Sequence, residues 1–331
     1  MDNLNEGEMI DLYEESTPYY PPKFIDEAPP GNAWVKSLAS LAIYLALGYY
    51  IFKRWELLLL ITAVVMLHEM GHFLAMKAFR YKDLGIFFIP LLGAYVSGSK
   101  REVSQKESAI ILLAGPLPGI ILGCLVYLLH LRYPEWSIGS TGLDTLALLL
   151  VFLNLFNLIP IYPLDGGQLL NRVFFNEEKW ISQVFMYLSI AALTWFAWKM
   201  NFPVLYLFPV MMLYRQISDS RVDQVEKRVE EEGFHTDIDY EHLPDNDYWN
   251  IRRIVIEERA AFKKVDPGPP YEFDEKESKI AAVIHDLLHR NLIQDVSVLG
   301  KLLILVIWIA AIASPWLVGL DDLFYRIGLR N

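Results

Sequence analysis

The sequence predicts an all-α polytopic membrane protein with about six to seven transmembrane helices and a small membrane-associated β-hairpin or re-entrant loop. Three observations carry this. The 331-residue chain is 54% hydrophobic with a mean hydropathy of +0.27, above the roughly 45–50% of an ordinary soluble domain. Its apolar residues gather in runs of about 20, the length that crosses roughly 30 Å of hydrocarbon. Its charge is segregated: the net −11 divides into −7 over residues 1–30, −8 over 215–299 and +4 over the rest.

The spans follow in order. Ala33–Phe52 carries Lys36 as its single charge, and Leu57–Phe79 is long enough but contains His68, Glu69, His72 and Lys77. Ala109–Leu129 is uncharged, Leu143–Ile161 has only Asp144, and Ser182–Trp198 is a short span. Phe202–Tyr214 has 13 residues and is expected to cross as a thinned or tilted helix or to lie re-entrant. Leu302–Leu320 closes the series. This divides the chain into an acidic N-terminal tail (1–32), a membrane core (33–214, with its site in 57–170), an acidic helical appendage (215–299) and a last helix with a short tail (300–331).

Composition also excludes classes. The basic residues form no nucleic-acid-binding surface. The single cysteine, Cys124, lies in an apolar run, so no disulfide framework is expected. The opening MDNLNEGEMIDLYEE has neither a basic nor an early apolar region, and a cleaved signal peptide is not expected.

Lys and Arg beside the spans set the orientation, because cytoplasmic loops retain them. Six lie between Lys77 and Lys106, against one in 132–142. The first loop is therefore expected inside, with the N-terminus and the end of the 143–161 span. The appendage falls inside if 202–214 crosses and outside if it does not. In it, Val222, Val225 and Val229 precede Gly233, and Ile251, Ile254, Val255 and Phe262 suggest a second helix. A third, with Ile280, Ile284, Leu287 and Leu288, follows the breaker DPGPP at 266–270. His285 and His289 lie four apart there but opposite the apolar face, and are read as a solvated surface. The remaining feature of low complexity is the Pro-rich entry YYPPKF and APPG near the N-terminus.

The chemistry is expected at LHEMGHF. His68 and His72, four residues apart, bring two imidazoles to one helical face, where they can share a zinc ion. Glu69 lies beside that ion. The metal lowers the pKa of water toward about 7, and the carboxylate acts as general base and proton shuttle. Ionisable groups in a membrane helix cost several kcal/mol unless they face a partner or a wet cavity. Here three occur within five residues.

Such a site needs a third protein ligand. Asp165 in NLFNLIPIYPLDGGQLL is preferred to Asp144, because Pro160, Pro163, Gly166 and Gly167 break the helix around it. Irregular backbone at membrane depth is tolerated only against protein or water. Asp144 is expected to cap its helix.

His68-Glu69-Met70-Gly71-His72 together with Asn157-x5-Pro163-x-Asp165-Gly166 resembles the site-2 protease family of intramembrane zinc metalloproteases, and AGPLPG at 114–119 is similar to a further small-residue element of that family. The resemblance covers roughly residues 57–170. It implies one zinc ion held by His68, His72 and Asp165, and Glu69 as the catalytic base. It implies that Asn157 holds the substrate backbone or the oxyanion, with a helix–helix hydrogen bond as the alternative. Gly71, Pro163 and Gly166 are its supporting positions.

The implied activity is hydrolysis of a peptide bond in or near a membrane span of another protein, as in regulated intramembrane proteolysis. The implied setting is the bilayer of a bacterial cytoplasmic membrane, with the site opening to the cytoplasm. Leu84–Ser97, broken by Pro90 and Gly93, reads as the hairpin or re-entrant loop; in the resembled family this region pairs with an unwound substrate segment. The bland alternative is a loop plugging the entrance. Gly115, Gly119 and Gly123 form a face expected to pack on the HExxH helix. The loop 130–142 is too short for a PDZ domain. A membrane metal transporter or sensor, and a non-catalytic scaffold of the same fold, are the rival readings. Glu69 speaks against the first, because transport does not require it, and the intact motifs speak against the second.

Overall fold

The computed structural model describes residues 20–25, 33–90, 93–100, 103–288 and 292–320. The chain forms two compact units, Pro29–Ile217 with Asn291–Asn331 and Met1–Ala28 with Ser218–Arg290.

The first unit starts with α1 (Ala33–Phe52) and α2 (Trp55–Ala78), joined by a tight turn at Lys53 and Arg54. Leu58 of α2 fills the notch left at Gly48 of α1. Strands β1 (Lys82–Ile89) and β2 (Gly93–Ser99) pair antiparallel, with Phe87 opposite Tyr95 and Phe88 opposite Ala94. Phe88 packs with Tyr44 and Leu58, which ties β1 to α1 and α2. A two-residue strand, β3 (Val103–Ser104), leads into α3 (Gln105–Ala114), capped by Ser104 Oγ accepting from the Glu107 amide. Pro116 starts α4 (Pro116–Arg132), so the long apolar run is broken at Gly115. Pro116 and Pro118 each lack the amide that an uninterrupted helix would use.

After the short pair β4 (Ser137–Ile138) and β5 (Thr141–Gly142), α5 spans Leu143–Asn157. Its 15 residues reach about 22 Å, shorter than the expected 143–161 span. Pro160 disfavours helix at the residue before it, and the chain runs irregularly to α6 (Asp165–Leu170), through a cis Tyr162–Pro163 bond. Protein groups serve this irregular backbone: Ser189 Oγ accepts from the Tyr162 amide, Gln168 Nε2 donates to Pro163 O, and Trp308 Nε1 donates to Leu158 O. A π-turn over Asn171–Phe175 and α7 (Lys179–Lys199) follow.

Residues 202–214 do not form a span of their own. Pro203 opens a 3-10 turn, and Leu207 begins α8 (Leu207–Glu231), a helix that continues into charged sequence. The second unit adds α9 (Asp245–Glu258) and α10 (Glu277–Leu288). Strand β6 (Leu292–Ile293), parallel to β3, and α11 (Val298–Leu317) return to the first unit. Among the described residues, five helices are long and apolar enough to cross a membrane: α1, α2, the α3–α4 run, α7 extended to Met200, and α11. Against the six to seven expected spans, the described residues offer these five candidates and the shorter apolar α5.

Lipid tails are as apolar as leucine, so close packing rather than burial from water holds such helices together. The glycine face supplies it. A Cβ on Gly119 would lie 2.1 Å from Asn154 Nδ2, and one on Gly123 would lie 2.6 Å from Val151 Cγ2. That face was expected against the HExxH helix; only Gly115 meets it, at His72, while Gly119 and Gly123 admit α5. Asp144 also departs from expectation: Gly142 occupies the cap position and Asp144 sits in the first turn of α5.

The second unit has a water-type core of Val222, Val225, Val229, Trp249, Ile254 and Ile284. At its centre Arg252 and Glu277, both nearly fully buried, pair at 2.8–2.9 Å, and Tyr248 donates to Glu277 at 2.5 Å. Phe262, expected in the second helix, lies in a separate 3-10 turn over Ala260–Phe262. His285 is exposed and stacks on Tyr240, as a solvated face requires; His289 lies outside the described residues, as do most of the N-terminal tail and residues 321–331.

Candidate metal centre

Two helices bring together three atoms that could hold a metal ion. Helical spacing on α2 places His68 and His72 one turn apart, with Nε2 atoms 3.1 Å from each other. The end of α5 and the irregular stretch after it deliver Asp165 at the first position of α6, its Oδ2 3.1 Å from His68 Nε2 and 3.3 Å from His72 Nε2. Gly166 and Gly167 permit this approach, because a Cβ on either would fall 2.1–2.2 Å from the backbone of Leu158 or Ile161. All three side chains are buried, as is Glu69, next to His68 on α2.

The far side of each ring fixes its proton. His68 Nδ1 faces Asn154 Oδ1 at 2.8 Å, and His72 Nδ1 faces the Ile111 carbonyl at 2.7 Å. Asn154 Nδ2 donates to Leu150 O at 2.7 Å, which decides the orientation of that amide. Both opposing atoms are acceptors, so both rings carry the proton on Nδ1 and present lone pairs from Nε2. Asp165 Oδ2 is buried with no hydrogen-bond donor. Three lone-pair atoms that converge in a dry place repel one another unless a cation joins them.

The spacing suits a cation. A tetrahedral site with zinc–ligand bonds of 2.0–2.2 Å has edges of about 3.3–3.5 Å, whereas charge-assisted hydrogen bonds run about 2.7–2.9 Å. The observed 3.1–3.3 Å lies between the two and reaches the short tetrahedral edge at 3.3 Å. The donor set of two imidazoles and a carboxylate is one that zinc accepts.

Asn157, the other residue expected at the site, is half-buried at the end of α5, and its Nδ2 donates to Leu153 O of the same helix at 3.1 Å. The asparagine hydrogen-bonded to the histidine pair is Asn154. A signal for it existed: Asn154 is a polar side chain in an apolar run, the same expense that singled out His68. The Ile111 carbonyl carried no signal, being backbone. Gly71 and Gly115 complete the surroundings. A Cβ on Gly71 would lie 1.9 Å from Ala114 O, and one on Gly115 would lie 2.3 Å from His72 Nε2 itself.

Residues 56–140, which hold α2, the hairpin and α3–α4, match peptidase family M50. The chain carries a peptidase family M50 domain. A zinc metalloprotease of Methanocaldococcus jannaschii is 28% identical over 179 residues, 52% of this chain and 52% of that protein. Stage IV sporulation protein FB of Bacillus subtilis is 29% identical over 126 residues, 36% of this chain and 41% of that protein. The chain therefore spans about half the length of the curated relatives it matches. The solved site-2 protease from Methanocaldococcus jannaschii is 23% identical, with a TM-score of 0.40 over 54% of this chain and 85% of that one. The M50 match ends before Asn154 and Asp165, so their place beside the two histidines rests on the geometry of this chain.

Proposed function

We propose that the chain is an intramembrane zinc metalloprotease that hydrolyses a peptide bond in or near a membrane span of another protein. One observation carries this reading: two imidazole nitrogens and a buried carboxylate oxygen within 3.1–3.3 Å of one another, beside a second buried carboxylate. The M50 domain supports it.

His68, His72 and Asp165 would hold one zinc ion, which when bound makes water nucleophilic near neutral pH and stabilises negative charge on the substrate carbonyl. The remaining work falls to side chains of the chain. Asn154 and the Ile111 carbonyl hold the rings with Nε2 turned inward. Glu69 takes the proton from the attacking water at its carboxylate and returns it to the leaving amine. The five apolar helices support residence in the membrane, and the basic loop after α2 supports a site opening to the cytoplasm.

A helical substrate hides its carbonyls, so it must be extended before attack, and an added strand replaces the lost backbone bonds. The outer edge of β1 is already used: the Phe88 amide donates to Ser40 Oγ of α1 at 3.1 Å. The hairpin is two-stranded, so β2 is the edge assigned to the substrate. Asn157, close in sequence to the cluster, is the residue assigned to orient the substrate backbone.

The test compares purified wild type, Glu69→Gln and Asp165→Ala for zinc content and for cleavage of a reconstituted transmembrane substrate. Glu69→Gln is expected to retain zinc and lose at least 100-fold in cleavage, and Asp165→Ala to lose zinc. Equal cleavage by wild type and Glu69→Gln would sink the assigned base. Zinc flux without cleavage would favour a transporter.

A further inference from the structure

The Pro-rich entry and the acidic appendage are two features that the candidate centre does not use, and residues Tyr20–Ile25 of the first meet the second within the second unit. Residues Tyr20–Ile25 have no regular secondary structure and lie on an aromatic cradle from α9 and the loops around it. Trp249 Nε1 donates to Pro21 O at 2.8 Å, the Lys23 amide donates to Asp245 Oδ1 at 2.9 Å, and Tyr240 OH donates to Phe24 O at 2.6 Å. The Lys23 ammonium donates to the carbonyls of Glu241 and Leu243, both at 2.7 Å, with the Tyr240 ring 5.8 Å away. The ring of Tyr20 lies 5.0 Å from that of Tyr271, and the ring of Phe24 meets Phe273 edge-on at 5.4 Å.

These contacts differ from those of a core strand. No ladder forms; side chains of the appendage read the backbone of the segment one group at a time. Two adjacent prolines lack amides and favour an extended backbone before binding, which lowers the entropy lost on docking. An indole donor, a phenol donor and flanking rings are how aromatic grooves hold proline-containing peptides. The lysine has its own pocket of two carbonyls, on a segment of the chain that carries −8.

We propose that residues 218–288 form a peptide-recognition module for extended aromatic–Pro–Pro–Lys–aromatic segments, with the chain's own Tyr20–Ile25 as its resident ligand. The partner it fits is a protein that presents the same pattern in an unfolded stretch. The resident segment is tethered, at an effective concentration on the order of millimolar, so such a partner binds well only when the tethered segment is released.

The test uses the full chain in detergent with a specific protease site replacing residues 27–31. After cutting and dilution, a fluorescent peptide covering residues 18–26 is expected to bind at least tenfold more tightly than it binds the uncut chain. A peptide with Lys23→Ala, or with the order scrambled, is expected to bind at least tenfold more weakly. Trp249→Phe, which keeps the ring and removes the donor, should weaken the peptide severalfold. Three results overturn the proposal: a cut fragment that stays bound through dilution and excess peptide, an appendage that unfolds as the fragment leaves, or equal binding of the scrambled peptide. The first two make the segment part of the core, and the third makes the cradle a nonspecific aromatic surface.

Discussion

Replacing Asn154 by leucine tests whether the metal centre depends on the proton position of His68. The two side chains have the same branching, so the notch opposite Gly119 stays filled. The change removes the acceptor 2.8 Å from His68 Nδ1, at a residue with 0% exposure where water cannot substitute. A buried donor left unpaired costs about 1–3 kcal/mol. The ring can escape that cost by moving its proton to Nε2, where Asp165 Oδ2 waits at 3.1 Å, but that hydrogen bond consumes two of the three ligand atoms. Both routes penalise the metal-bound state, and the 1.4–2.7 kcal/mol equivalent of a 10–100-fold loss in affinity falls in the same range. Asn154→Asp retains an acceptor oxygen and is expected to stay within threefold of wild type. The assay is zinc affinity by chelator competition at pH 7, on detergent-purified protein with unfolding temperature as control. Leucine binding zinc as tightly as asparagine, or aspartate as weakly as leucine, would refute the role given to this contact.

Gly115→Ala places a Cβ 2.3 Å from His72 Nε2, whereas Gly123→Ala crowds Val151 at 2.6 Å; the first should abolish zinc retention through gel filtration, and the second should leave zinc in place while lowering stability by about 1–3 kcal/mol. In the second unit, burial, with the Glu277 carboxylate beside it, raises the Tyr248 phenol well above its ordinary value, and burial pushes Tyr240 up to about 12 from 10.0. Their contribution to stability is whole below pH about 10 and fades as the pH rises toward and past 12. Phenolate absorbance of the folded protein at pH 11 should fall short of full tyrosine ionisation and reach it on unfolding, with a shortfall smaller by one tyrosine in Tyr248→Phe; full ionisation by pH 11 in a folded protein would contradict this. Because Tyr20–Ile25 packs within the unit that holds 218–288, Ile25→Cys and Lys263→Cys, both at exposed positions, should react with an impermeant maleimide from the same side of sealed vesicles. Labelling from opposite sides would mean that the segment does not dock.

Much of the candidate centre was legible because its parts are local. His68 and His72 share a face by helical spacing alone, and Asp165 stood out because prolines and glycines cannot continue a membrane helix there. The run 84–97, too short to span and broken by Pro90 and Gly93, left a β-hairpin or a re-entrant loop open, and the antiparallel pairing of β1 with β2 was not legible in it. The partners across helices were less legible. The Gly115, Gly119 and Gly123 stripe was visible as a stripe, but its facing helix was not, since small residues declare close approach without naming what approaches. The end of α5 was misjudged by apolarity, which does not register where the backbone stops being helical.

The sequence by itself determined the groups on offer: two imidazoles in register, a carboxylate between them, a second carboxylate on broken backbone and enough apolar length for membrane-crossing helices. Tertiary structure decided which lone pairs face inward, because that depends on acceptors 39 and 86 residues away in the chain, the Ile111 carbonyl and Asn154. It also decided that a proline-rich N-terminal segment belongs to the acidic appendage, more than 200 residues away. In both cases the deciding contact is a hydrogen bond between groups that no local periodicity relates.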